Sequence, residues 1–77
     1  MSLMTTDQRV AANVRAELAR RRINRQALAR AMGIGPMAIS RRMSGQVSFS
    51  IAELYRVAEI LKVDISALIA IDQAVAS

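Results

Sequence analysis

Apolar residues in this chain recur at three- and four-residue spacing rather than at every second position, the periodicity of helices and not of half-buried strands. One device repeats. An apolar residue precedes a residue suited to a helix N-cap, and another apolar residue follows four positions after the cap. The instances are Ile23-Asn24 with Leu28, Ile34-Gly35 with Ile39, Phe49-Ser50 with Leu54, and Val63-Asp64 with Leu68. Each has the form of a hydrophobic staple around an N-cap. Ser50 and Glu53 add a capping box, and Pro36 falls at a first helical position, where its missing N–H costs nothing. Ahead of these, Thr5 and Gln8 have the spacing to open a first helix with the stripe Val10, Ala11, Val14 and Leu18. That helix ends in Arg20-Arg21-Arg22, cations suited to the negative end of its dipole. The stripe of the fourth is Ile51, Leu54, Val57, Ala58 and Leu61. The pattern predicts an all-α chain of five helices, at about 5–22, 25–32, 36–44, 51–62 and 65–71. Connections are short and no linker divides the chain, so residues 4–71 are expected to form one domain. Residues 1–3 read as an expression scar and 72–77 as a loose tail.

Composition narrows the chemistry. Seventy-seven residues, just over half of them apolar, allow one domain with a small core. Cysteine and histidine are both absent, so the common zinc sites, a His-based triad and a Cys nucleophile are excluded. The six acids are scattered, and no strand exists to carry a glycine-rich phosphate loop. An enzyme is not expected, nor is a cofactor, a metal or a small-molecule ligand. The longest strictly apolar run, Ala67 to Ile71, is far short of a membrane span, and the lack of cysteine is compatible with a reducing cytoplasm.

Charge is concentrated. No acid occurs from Leu18 to Ala52, a window holding Arg20, Arg21, Arg22, Arg25, Arg30, Arg41 and Arg42 and a formal charge of +7. The rest of the chain carries −2. A basic surface centred on a pair of short helices is the electrostatic footprint of binding to nucleic-acid phosphates. Arg21 lies four residues after Glu17 and can pair with it. Individual site roles are therefore not given to Arg20, Arg21 or Arg22.

Helices two and three are joined by Gly33-Ile34-Gly35, whose glycines permit a sharp change of direction. Ala29 allows close approach, and Leu28, Met32, Ile34 and Ile39 face inward. This is the form of a DNA-binding helix-turn-helix. Here the sequence resembles the Cro/lambda-repressor (XRE-type) family, through Ile23 to Ala29, Met32-Gly33-Ile34, Ile39-Ser40-Arg41 and Gly45, then Leu54, Ala58, Leu61 to Asp64, and Leu68. The resemblance implies a compact five-helix domain that binds operator-like double-stranded DNA as a homodimer. Three departures stand out. Arg25 replaces a glutamine that contacts phosphate. Leu18 and Met43 replace an arginine–acid pair, so packing is expected there instead. Arg42 replaces a residue that is usually apolar, which puts the docking angle of the recognition helix in question.

A helical wheel with Ile39 at zero puts Met37 at about 160°, Arg41 at about 200° and Ser44 at about 140°, opposite the buried side, with Ser40 on the flank. Met37, Ser40, Arg41 and Ser44 are thus the candidate base contacts, with Arg41 the main reader because its fork matches O6 and N7 of guanine. Arg25, Arg42 and Gln46 are the candidate phosphate contacts, and Asn24 is an N-cap. Gly35 and Pro36 leave direct readout thin, so DNA shape and the loop Gln46-Val47-Ser48 are expected to contribute. The expected function is transcriptional regulation, with repression by occlusion the default. The expected location is cytoplasmic, for a prokaryotic or phage-encoded protein held at the nucleoid when bound. The rival is an antitoxin-like or cofactor-like subunit that uses the same fold to hold a protein partner. Ile60, Ile69, Ile71 and Val75 exceed what a small core clearly needs, and they are open to three uses: a homodimer seam, another partner, or the core itself.

Overall fold

A computed structural model describes residues 4–70. The expected scar at 1–3 and the tail at 72–77 lie outside the described residues, as do Ile71 and Val75. Five helices follow in order: α1 (Thr6–Arg21), α2 (Arg25–Met32), α3 (Pro36–Met43), α4 (Ile51–Leu61) and α5 (Ser66–Ile69). Among the described residues there is no strand.

Three of the four expected N-caps, Asn24, Gly35 and Ser50, stand where the sequence puts them, whereas α5 begins one residue late, with Ile65 and not Asp64 at its N-cap and no side-chain cap bond. Leu28, Ile39, Leu54 and Leu68 are buried, while Ile23, Ile34, Phe49 and Val63 close over the same core. Both capping boxes are present. Gln8 N donates to Thr5 Oγ1 (3.1 Å) while Thr5 N donates to Gln8 Oε1 (2.9 Å), and Ser50 and Glu53 repeat the arrangement at α4. Asn24 Oδ1 accepts from Ala27 N at 2.8 Å. Asp64 accepts from Ser66 N, which holds its carboxyl below the usual aspartate range, and α5 is a single turn shorter than its apolar pattern suggested.

Short connections follow from residues used twice. Ile23 N donates to Leu18 O, Ile34 N to Ala29 O and Val63 N to Ala58 O, each closing a helix behind it in a Schellman motif. Ile23 and Ile34 also sit just before the N-cap of the next helix and staple it. Two of these closures place a non-glycine residue in the left-handed region, Arg22 at φ 55° and Lys62 at φ 57°.

Side chains from other helices complete the remaining C-termini. Asn13 donates to Leu68 O and Ala70 O, Arg15 to Met43 O (2.7 Å), Arg21 to Leu61 O (2.9 Å) and Arg56 to Ala31 O (3.2 Å). The last carbonyls of α2, α3, α4 and α5 thus gain a donor from across the fold, which satisfies groups that helix geometry leaves open. α1 is the central column, packed on α3, α4 and α5, while α2 packs on α3 and α4. Leu18 and Met43 are both nearly fully buried in the one core, consistent with packing in place of an ion pair.

One apolar position differs from expectation. Ile51 is 68 % exposed, because it sits about 70° from the centre of the face that Leu54, Val57, Ala58 and Leu61 bury. Of the three uses left open for Ile60, the structure has it packed against the edge of the core.

Candidate nucleic-acid interface

The placement of α3 is fixed by what it buries. Ile39 and Met43, four residues apart, anchor one side in the core. Gly35 is the N-cap and offers no side-chain bond, and Pro36 opens the helix. At the other end Arg15 holds the Met43 carbonyl, and the Arg41 carbonyl accepts from Gln46 N (3.0 Å) and Val47 N (3.3 Å). The loop after the helix is thereby tied to it. Gly45 takes φ 83° at this corner and lies so close to Gln8 of α1 that a Cβ would meet its Cα at 3.1 Å.

With Ile39 and Met43 inward, the opposite side is left to solvent. Met37 is 64 % exposed, and Ser40, Arg41 and Ser44 are exposed beside it. Pro36, Met37, Ser40, Arg41, Ser44 and Gln46 line one open depression of about 570 Å³. All four candidate base contacts and one of the three candidate phosphate contacts are brought together there. Arg25 stands apart, exposed at the first position of α2. The Ser44 hydroxyl donates to Arg41 O at 3.0 Å, so toward a ligand it is left mainly as an acceptor.

Arg42 departs from expectation. Its Nε donates to both carboxylate oxygens of Glu53 (3.0 and 3.2 Å) and its Nη1 to Ala38 O (3.0 Å). The unusual arginine thus ties the recognition helix to the start of α4 instead of reaching outward. Burial pushes the Glu53 carboxyl up, but hydrogen bonds from Arg42 and Ser50 outweigh it and leave the group below the usual glutamate range. No sequence signal joined residues 42 and 53, since the pair depends on how α3 and α4 cross.

The charge of the window is smaller in effect than its count. Arg20 and Arg21 both pair with the carboxylate of Glu17, and Arg42 with Glu53. The side chains of Arg22, Arg25, Arg30 and Arg41 have no acidic or hydrogen-bonding partner among the described residues. Within the window these four are the unpaired cations among the described residues. Sequence reasoning missed the structural use of Arg15 and Arg56, whose partners are backbone carbonyls 28 and 25 residues away.

The described residues contain no group of three or more metal-ligating side chains and no helix long and apolar enough to cross a membrane. A family model described as helix-turn-helix matches residues 14–68, from within α1 to α5. No curated protein and no solved structure matches the chain. With a five-helix fold, a helix pair in the right order and a match over most of its length, the chain belongs to the helix-turn-helix family of DNA-binding transcription regulators, of the Cro/lambda-repressor (XRE) type.

Proposed function

We propose that the protein is a transcriptional repressor that binds a two-fold-symmetric operator as a homodimer, each copy laying α3 in the major groove. The observation that carries this reading is the exposed depression where Met37, Ser40, Arg41, Ser44 and Gln46 meet. Arg41 reads a guanine through O6 and N7, Met37 packs on a thymine methyl, and Ser40 and Ser44 supply single hydrogen bonds. Arg25 and Gln46 hold phosphates and fix the register. Arg42, engaged by Glu53, keeps α3 at its angle and is assigned no phosphate. Two copies place their third helices about 34 Å apart, in successive major grooves. Of the apolar residues considered for the seam, Ile69 is 46 % exposed and remains available, whereas Ile60 belongs to the core edge. Repression follows from occlusion of a promoter, in the cytoplasm of the producing cell.

Selection from a random duplex library tests binding, symmetry and half-site spacing together. The expected product is an inverted repeat with centres one helical turn apart, bound by two chains. A library that shows no enrichment counts against sequence-specific binding. An enriched but asymmetric site bound by one chain removes the dimer. A second reading, a subunit that holds a protein partner, draws on Ile51 and Tyr55, one turn apart on α4 and 68 % and 57 % exposed. Failure to shift any duplex would favour it.

A further inference from the structure

Beside the recognition surface lies a second hollow. Gln26, Ala29 and Arg30 of α2, Ile34 of the turn and Pro36 of α3 enclose an open, mostly apolar cleft of about 250 Å³. Pro36 lines both this cleft and the depression that holds Arg41, so the two adjoin at the start of α3. Gln26 and Arg30 are one helical turn apart and stand on the same side of α2. Arg30 is exposed, and its side chain has no salt-bridge or hydrogen-bond partner among the described residues. An apolar floor with a forked cation and an amide at its rim matches one repeating unit of a nucleic-acid strand. The deoxyribose presents C–H groups to the floor, and the phosphate presents two anionic oxygens to the rim.

We infer that this cleft is a second backbone-binding site, in which Arg30, with Gln26, grips a phosphate of the strand that passes the start of α3. The inference rests on the DNA-binding reading above and extends it: the footprint of each copy runs from Gln46, across α3, onto the outer face of α2. Pro36, whose ring has no hydrogen-bonding group to offer a base edge, then serves as the apolar wall between base readout and backbone grip. The charge of Arg30 acts on affinity and salt dependence, and not on which base is preferred.

The test measures duplex affinity against salt for the wild-type chain, Arg30→Gln, Arg30→Lys and, as a control outside the window, Lys62→Gln. Each lost phosphate contact lowers the steepness of the log–log plot by about 0.9, so the two lost from a bound dimer lower it by about 1.8 and narrow the wild-type advantage by roughly 12-fold between 50 and 200 mM salt. Arg30→Gln should show that change with base preference intact, Arg30→Lys should largely restore the slope, and Lys62→Gln should match wild type. A neutral methylphosphonate placed along the strand should weaken wild type at one position and leave Arg30→Gln indifferent there. If wild type binds duplex DNA and Arg30→Gln has the same slope, the cleft is not a backbone site, and a protein partner becomes its better occupant. If wild type binds no duplex at all, the DNA-binding reading itself falls.

Discussion

Replacing Gly45 with alanine probes the corner where the recognition helix meets α1. Gly45 has φ 83°, and a Cβ built there lies 2.7 Å from Gln8 Cγ, 3.1 Å from Gln8 Cα and 3.2 Å from Gln8 N. Gly33 is the matched control, because its φ is 74° but a Cβ there meets nothing within 4 Å. Each alanine bears a left-handed penalty of about 1–2 kcal/mol, less about 0.4–1 kcal/mol from the stiffer unfolded chain. Gly33→Ala should therefore cost about 1 kcal/mol. Gly45→Ala adds overpacking against backbone that cannot swing aside, at about 1–2 kcal/mol more. Moving the Gln8 side chain away does not rescue it, since that breaks the capping-box bond to Thr5 N. For a domain of this size 1 kcal/mol is about 4–8 °C in Tm, so the two variants should separate by at least about 4 °C. Thermal unfolding by circular dichroism, checked by urea midpoints at constant slope, reads the difference. A Gly45→Ala protein as stable as Gly33→Ala would refute the close approach of α1 to this corner.

Two further outcomes concern the scaffold. Glu53 is held below the ordinary glutamate value of 4.5 after the opposing effect of burial, chiefly by Arg42 and Ser50. A depressed carboxyl adds stability that is full above the unfolded value and lost as pH falls through the lower folded one. Stability should drop as pH falls from about 5 to below 4.5, and Glu53→Gln should flatten that limb while lowering stability at neutral pH; an unchanged acid limb would exclude the pair as its source. Lys62 is left-handed at φ 57°, so Lys62→Gly should stabilise by up to about 1 kcal/mol, seen as a higher urea midpoint. A loss of stability would mean the lysine stem contributes more than its backbone strain costs.

Much of the fold was legible because its determinants are local. Staples, capping boxes and the Gly33–Gly35 turn act within five residues of one another, and they set where α1 to α4 begin and end. The face of α3 was legible too, since Ile39 and Met43 on one side leave Met37, Arg41 and Ser44 on the other. The uses of individual arginines were not. A basic side chain reads the same whether it meets a phosphate, the carboxylate of Glu53 or the carbonyl of Met43, and those partners are fixed only by how helices cross. For the same reason the reading of Arg42 as a phosphate contact did not anticipate Glu53, eleven residues away. The exposure of Ile51 was hidden by a stripe drawn too wide at the first residue of α4.

The central claim is that the exposed face of α3 docks in the major groove with Arg41 on a guanine. Its most direct test replaces single guanines of a bound site by 7-deazaguanine, which removes the N7 acceptor from the major groove and leaves Watson–Crick pairing intact. At one guanine per half-site the wild-type protein should lose about 1–3 kcal/mol of binding, and Arg41→Ala should lose nothing more on the same substitution. Wild-type binding indifferent to every such replacement, or an Arg41→Ala variant as sensitive as wild type, would contradict the account.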